Sequence, residues 1–589
     1  MKIGIDFGST YSTVSVYNRE LDQAQALALA EGESPSIPSI VSISKKGQQN
    51  CGNAAKNQIG KKTVQIYEAF KMLLNEPDPA KLATRNYTGE NTPRRIAGIF
   101  LTYLLNGVAN RYGNGTIEEV VICVPEVWCR SIHTVDARST LRELLQEILQ
   151  ERFGARDAII RVVTEPEAAS AFFAYNYEKE TKQPFNGHLL LIDYGGGTLD
   201  ITLTDVKSNG SGSMEIRYCE SGGAGENHTD ASDGYAIGSA GIAFMQRVVT
   251  IALRDAGFLG EKENPVYTDP AFQATVLELE CQLKSPDRMK DIADFYDGYG
   301  TDYSDLTSLL GEDLSEMEEE ERALWEFTVL DYNDEELPVD YQQVFRAYSE
   351  TIEQVLKTEV DKINPKVRQH LGYDPCSPDA SVQDDFRIAI VGGFGSFYLV
   401  KKQLAAIYRL NTDSKADRRT KNINADKQVH AISMGASLLA AQRVTQKQTA
   451  RYAIGLYAYG RNKKMRPHYA IRYHQNVEPG EAYFVLQDGS RPDAPENRVK
   501  FTQPWKMQFI IGDSEDQNHG IPMVLKPALQ ERLMRELPND LSLNYCGFSV
   551  DNSDIVTFHV VPVKSPGNAK KILLNSFENM FMPAAVEEV

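Results

Sequence analysis

What the chain lacks narrows the reading first. Its seven cysteines (Cys51, Cys123, Cys129, Cys219, Cys281, Cys376 and Cys546) are odd in number, scattered, and never in CxxC spacing. Neither a disulfide scaffold nor a zinc site is expected from such spacing, and a reducing compartment fits better. No apolar run is long enough to span a bilayer, and Met1 leads straight into Lys2-Ile3-Gly4-Ile5-Asp6 without a charged-then-apolar leader. The expectation is a cytoplasmic protein with no membrane partner. Positive charge is in deficit: 62 Lys and Arg against 81 Asp and Glu give a net charge of -19. A nucleic-acid partner, which needs a basic surface, is therefore not expected. Walker A is missing too, since the nearest approach, Gly455 to Gly460, continues as Arg461-Asn462. No GxGxxG follows a strand, so a dinucleotide fold is unsupported.

What is present is ordinary globular material, 42% hydrophobic and 24% charged over 589 residues. That length exceeds a single core and predicts three or four structural units. Strands are expected in residues 1–18, 35–43, 118–124, 188–193, 199–206 and 386–391. Helices are expected around 62–74, 93–110, 134–152, 166–178, 338–362, 398–410 and 428–443. The acidic stretch 312–322 fits a solvated face. After about residue 445 the segments 451–459, 482–487, 506–511 and 555–563 turn aromatic and β-branched, with one helix expected at 526–537. The pattern strand, glycine turn, strand occurs twice, about 190 residues apart, as in a duplicated domain.

Both copies open on an aspartate. The first is Asp6-Phe7-Gly8-Ser9-Thr10-Tyr11 and the second Asp193-Tyr194-Gly195-Gly196-Gly197-Thr198-Leu199-Asp200. Glycines let backbone N–H groups approach phosphate oxygens, and the hydroxyls of Ser9, Thr10 and Thr198 add donors. Asp6 and Asp193, at strand ends, are placed to hold the water ligands of a magnesium ion, which takes few protein ligands.

In order along residues 1–443, these loops join Ile37-Pro38-Ser39, Cys51 to Lys56, Val124-Pro125, Thr164-Glu165-Pro166-Glu167-Ala168-Ala169, Val391-Gly392-Gly393 and Asn424-Ala425-Asp426 with Gly435-Ala436. The set resembles the nucleotide-binding domain of the 70-kilodalton heat-shock (DnaK-like chaperone) family, in a divergent branch within the actin, hexokinase and DnaK ATPase superfamily. The resemblance implies an α/β fold of two RNase H-like (actin-like ATPase) lobes around a nucleotide cleft, followed here by a β-rich C-terminal region. It implies ATP or ADP and Mg2+ as cofactors. Lys71, Glu165, Asp193, Thr198 and Asp200 take the catalytic positions. Gly8, Ser9, Thr10, Tyr11, Gly195, Gly196, Gly197 and Thr198 take the phosphate positions. Gly392, Gly393, Phe394, Ser396 and Asp426 fall on the adenosine side, with Glu278 and Ser285, or in another register Glu280 and Lys284, on the second adenine wall. Each position also has a plainer reading: Lys71 as a surface lysine, Glu165 as a helix N-terminal carboxylate, Asp426 as an N-cap.

The sequence departs from the family where adenine would stack. An arginine usual after the glycine pair is replaced within Phe394-Gly395-Ser396-Phe397-Tyr398, and residues 442–450 are no acidic-leucine linker. The expected boundaries are 1–183 for lobe I and 184–427 for lobe II with an inserted subdomain at about 225–380. A returning helix follows at 428–445. Residues 446–589 form a β-rich unit unlike the family's peptide-binding sandwich plus lid. The first expectation is a DnaK-like ATPase whose slow hydrolysis switches lobe conformation, with a client or partner protein met through the C-terminal region. The alternatives are a nucleotide-gated binding or scaffold protein with little turnover, and an actin-like filament former.

Overall fold

The protein's structure is a computed structural model. It describes residues 1–74, 76, 78–112, 117–130, 137–208, 214–225, 240–299, 307–312, 314, 316–410, 417–420, 429–451, 453–459, 465–487, 493–512, 523–536, 542–574 and 581–583. The chain forms two compact units. The first comprises 1–127, 144–160 and 164–445, and the second 128–143, 161–163 and 446–589.

Two sheets organise the first unit. In one, the strand order is Gln23–Leu27, Tyr11–Asn18, Lys2–Asp6, Glu119–Val124, Ile159–Thr164. In the other, Phe386–Val391, Gly187–Tyr194, Leu199–Ser208 and Met214–Ala224 follow one another. The duplication seen in the sequence is reproduced in register. Lys2–Asp6 pairs antiparallel with Tyr11–Asn18 and parallel with Glu119–Val124, placing Asp6 beside Thr13 and Cys123. Gly187–Tyr194 pairs antiparallel with Leu199–Ser208 and parallel with Phe386–Val391, placing Asp193 beside Asp200 and Val391. Asp6 is thus the last residue and Asp193 the last but one of a strand flanked on both sides by others, just before the chain turns over glycine. The fold is α/β with two such lobes, as expected, and the β-rich C-terminal region follows.

Local expectations failed in two places. Residues 62–74 are not one helix: Val64–Glu68 is a strand paired with Ile40–Ser44, and only Phe70–Leu73 is helical. The run Val64, Ile66, Tyr67 favours a pleated surface, and Ala69, at φ 53°, breaks the chain between the two elements. Residues 338–362 also begin as a strand. Glu335–Asp340 returns on Glu326–Tyr332 through Asn333 and Asp334, both at positive φ (56° and 66°). Asn and Asp tolerate that conformation, which two-residue hairpins need. The helix starts only at Tyr341, where Asp340 and Gln343 form a capping box.

Glu165–Thr181 packs mainly against the second sheet and Ala431–Ala440 against the first, and the two helices pack on each other. Thr164 caps the former, accepting from the N–H of Glu167. Their backbones touch at Gly435: a Cβ there would sit 1.7 Å from the carbonyl oxygen of Ala168. Main chain cannot yield as a side-chain tip can, so Gly435→Ala should cost about 3 kcal/mol, the upper range of overpacking. Urea unfolding of the first unit measures this, and an unchanged midpoint would contradict the packing.

The second unit is not one continuous stretch. Its 446–589 segment forms two sheets, one ordered Met465–Ile471, Ala453–Tyr459, Phe509–Gly512, Met523–Leu525, Phe581–Pro583, the other built on Asn544–Val550 and Val556–Pro562. Both contribute to one core, where Phe509 meets Phe558 edge-on at 5.0 Å. The expected helix is present at Pro527–Glu536. The turn from Asp551 to Asp554 binds the two short segments of the same unit. Ser553 Oγ accepts from Val162 N (3.0 Å), and Arg142 pairs with Asp551. Among the described residues no helix is long and apolar enough to cross a membrane.

Candidate functional site

The two glycine loops face each other across the first unit. A Cβ on Gly196 would lie 1.9 Å from Thr10 Oγ1, and one on Gly197 2.8 Å from Ser9 Oγ. No side chain fits there, so these glycines are set by close approach of loop to loop. Each loop is braced from behind. Ser12 Oγ accepts from Gly8 N (3.2 Å), Ser39 Oγ donates to Gly8 O (2.7 Å), and Ser39 N donates to Thr10 O (2.8 Å). Gly195 N donates to Thr198 O (3.0 Å), and Ile242 N to Gly196 O (2.8 Å).

Between the loops is a cavity of about 270 Å³. Asp6, Gly8, Ser9, Thr10, Tyr11, Lys71 and Glu165 line it from the first lobe, and Asp193, Gly195, Gly196, Gly197 and Thr198 from the second. Gly392, Gly393, Phe394 and Ser396 complete one wall. Asp200 is fully buried and does not reach the cavity; it stands behind Asp193 as its cross-strand partner. Glu278 does not line the cavity either. Its carboxylate accepts from Asp331 N (2.9 Å), whereas Glu280 and Lys284 face inward. Ser285 is likewise away from the lining, preceding the helix Pro286–Tyr299. Asp426 lies outside the described residues.

The floor is acidic around one cation. Lys71 is buried and ion-paired with Glu165. Burial opposes the Lys71 charge, but Glu165, Asp6 and Asp200 outweigh it and hold the ammonium above its ordinary pKa. Burial pushes the Asp6 carboxyl from 3.8 to about 7; Glu165 adds to the shift and Lys71 opposes it. Asp193 is held well above its usual range by burial, then by Glu165, Asp200 and Asp6. Among the described residues, Thr10 Oγ1 and Asp193 Oδ2 in this lining are buried and find no hydrogen-bond partner. A buried carboxylate oxygen and a hydroxyl left so are costly unless a ligand completes them. Crowded carboxylates with one cation fit a divalent metal, and glycine N–H groups fit phosphate.

Asp6 binds its proton more tightly in the folded protein than in the unfolded one. Its contribution to the ligand-free fold is present below about pH 4 and lost as pH rises toward 7. A cation bound there near pH 7 should therefore release protons. Calorimetry of Mg·ATP binding in buffers of differing ionisation enthalpy should show more release at about pH 6 than at about pH 8.5. Equal release at both would contradict the assignment to Asp6.

The far wall is apolar. Met245, Leu283, Met289, Phe394 and Phe397 line it, and Phe394 stacks on Phe397 at 5.0 Å and 18°. At the mouth, Lys56 of the first lobe donates to Tyr11 OH (2.7 Å) and pairs with Glu280 (3.4 Å). Lys284 pairs with Glu280 at 2.6 Å and lies 3.6 Å over the Tyr11 ring. Tyr11, and in the alternative register Glu280 and Lys284, were expected at the site, whereas the wall methionines and the pairing with Lys56 were not. Helical periodicity marks Met245 and Met289 only as half-buried, and cannot tell a cleft wall from a core.

The chain's similarities agree with this geometry. Residues 2–222 match the family described as Hsp70 protein. The chain is Hsp70-like. Among curated proteins it is similar to the "Chaperone protein DnaK" of Metamycoplasma hominis, 26% identical over 39% of this chain and 33% of that one. The DnaK chaperones of Akkermansia muciniphila (28%, 39% of this chain, 35% of that one) and Mycoplasmoides gallisepticum (29%, 39%, 34%) are comparable. The matched region thus spans about a third of the length of these relatives, and the low identities mark the Hsp70-like chain as divergent.

Proposed function

We propose that this Hsp70-like chain binds Mg·ATP between its two lobes, hydrolyses it slowly, and uses the ATP and ADP states to switch lobe arrangement in a chaperone-like role. The observation that carries the reading is the meeting of two aspartate-led glycine loops over the buried Lys71–Glu165 pair. Asp6 and Asp193 would hold the magnesium ion through water, and the ion would neutralise phosphate charge.

The chain's own residues supply the rest. Loop N–H groups with Ser9, Thr10 and Thr198 bind phosphate oxygens. Lys71 offsets negative charge that builds on the transferred group in a dry site. Glu165, fixed by Lys71, and Asp193 orient a water for attack. Asp200, enclosed behind the strand, acts on Asp193 and Lys71 rather than on water. The Phe394 and Met245 wall takes the base by apolar contact where the family's arginine is missing. Lys56, Glu280, Lys284 and Tyr11 draw the lobes together. The second unit, with its own core, is the candidate surface for a client or partner.

Hydrolysis of labelled ATP under single turnover tests this, with wild type and Thr198→Ala, each with and without an unfolded client. Wild type should turn over, and the variant should lose about 10²-fold, the effect of one transition-state donor. Tight binding with no turnover would instead favour the nucleotide-gated scaffold, for which the altered base wall speaks.

A further inference from the structure

The spacing of the cysteines argues against any local metal motif, yet the fold gathers a ligand set from three distant segments. His188 is the second residue of the strand Gly187–Tyr194. Cys219 lies in Met214–Ala224, and His370 in the last turn of the helix Gln354–Leu371. One ligand atom from each lies within 4.8 Å of the others, and the imidazole centroids are 6.3 Å apart.

The backbone is shaped to make this meeting. Leu203 pairs with Glu220 and Thr204 with Tyr218, so Cys219 is the extra residue of a β-bulge. A bulge re-aims side chains and is common beside functional sites. Cys219 is 4% exposed, whereas His370 is exposed, so the group opens to solvent on one side. The nearby carboxylates are already engaged by cations. Asp205, opposite His188 in register, pairs with Arg217 (3.1 Å), and Glu220 pairs with Lys366 (3.1 Å). Glu220 also lies 3.5 Å from His370 Nε2, where a carboxylate orients a ligating imidazole. The donors left are two imidazoles and a thiolate, a set that selects zinc-like ions over magnesium or calcium.

We propose that His188, Cys219 and His370 bind a borderline transition-metal ion of the zinc type, with water in the fourth position. On binding, Cys219 Sγ releases its proton to solvent as the sulfur–metal bond forms, and no electrons are exchanged. The site is separate from the nucleotide cleft: His188 precedes Asp193 by five residues on one strand, about 16 Å. It neither rests on the nucleotide reading nor falls with it.

Cobalt(II) is the probe, added to full-length protein stripped with a chelator and kept reduced. Wild type should bind one equivalent, with a thiolate-to-cobalt charge-transfer band that zinc displaces. Cys219→Ser should lose the band. His370→Ala, at an exposed helix end, should fold as wild type by circular dichroism and weaken cobalt binding at least about tenfold. If Cys219→Ser fails to fold, His370→Ala alone decides. No band in wild type, or the same affinity in His370→Ala, would overturn the site.

Discussion

Replacing Lys71 by alanine should lower ATP turnover about 10²- to 10³-fold and also cost the ligand-free protein about 3–5 kcal/mol. Two effects on one residue follow from its burial. Lys71 and Glu165 are both nearly enclosed, so removing the ammonium leaves Glu165 without its countercharge beside Asp6 and Asp193. A lysine on a solvated helix face would show neither effect. The double variant Lys71→Met with Glu165→Gln separates them. Most of the stability should return, because Glu165 is no longer a buried charge without its partner, whereas turnover should not. Urea unfolding and single-turnover hydrolysis on the three proteins measure both. Full turnover in Lys71→Ala would remove the lysine from the chemistry.

Asp193→Asn should move stability and ligand binding in opposite directions. Without ligand, Asp193 is crowded by Glu165, Asp200 and Asp6, which hold its carboxyl well above the usual range. An amide of the same shape relieves that repulsion, so the ligand-free variant should be at least as stable as wild type at neutral pH. With Mg·ATP at a hundredfold excess over Kd, wild type gains about 2.7 kcal/mol by mass action. The variant, lacking the carboxylate that would hold the ion, should lose most of that gain. Melting curves with and without Mg·ATP show both. A variant destabilised without ligand yet stabilised normally by Mg·ATP would contradict the site's electrostatics.

How far the sequence could be read depended on the kind of signal. Asp6 and Asp193 stand out because each ends an apolar strand and opens a glycine turn, and strand pairing then places them at equivalent points of two sheets. Lys71 and Glu165 came from short motifs, and their mutual pairing was not visible 94 residues apart. The adenine wall was harder. Glu278 and Glu280 are two positions apart on one helix, hence on different faces. In Val276-Leu277-Glu278-Leu279-Glu280 the apolar residues surround both, so periodicity could not choose; the buried Leu279 and the inward Glu280 show the face taken. The hairpin at 326–340 was missed although Asn333-Asp334 carries a turn signature, because acidic residues masked its alternation. The segment 128–143 grouping with residues 446–589 has no local signal at all. The same holds for His188, Cys219 and His370, which only long-range folding brings together.

Nucleotide binding between the two loops is the central claim, and the melting temperature of the first unit tests it most directly. It should be followed with Mg·ATP, Mg·ADP, ATP with a chelator, and no addition. A rise with both magnesium complexes, largely lost with the chelator and in Asp193→Asn, is the expected result. No shift with millimolar Mg·ATP in the wild-type chain would contradict it.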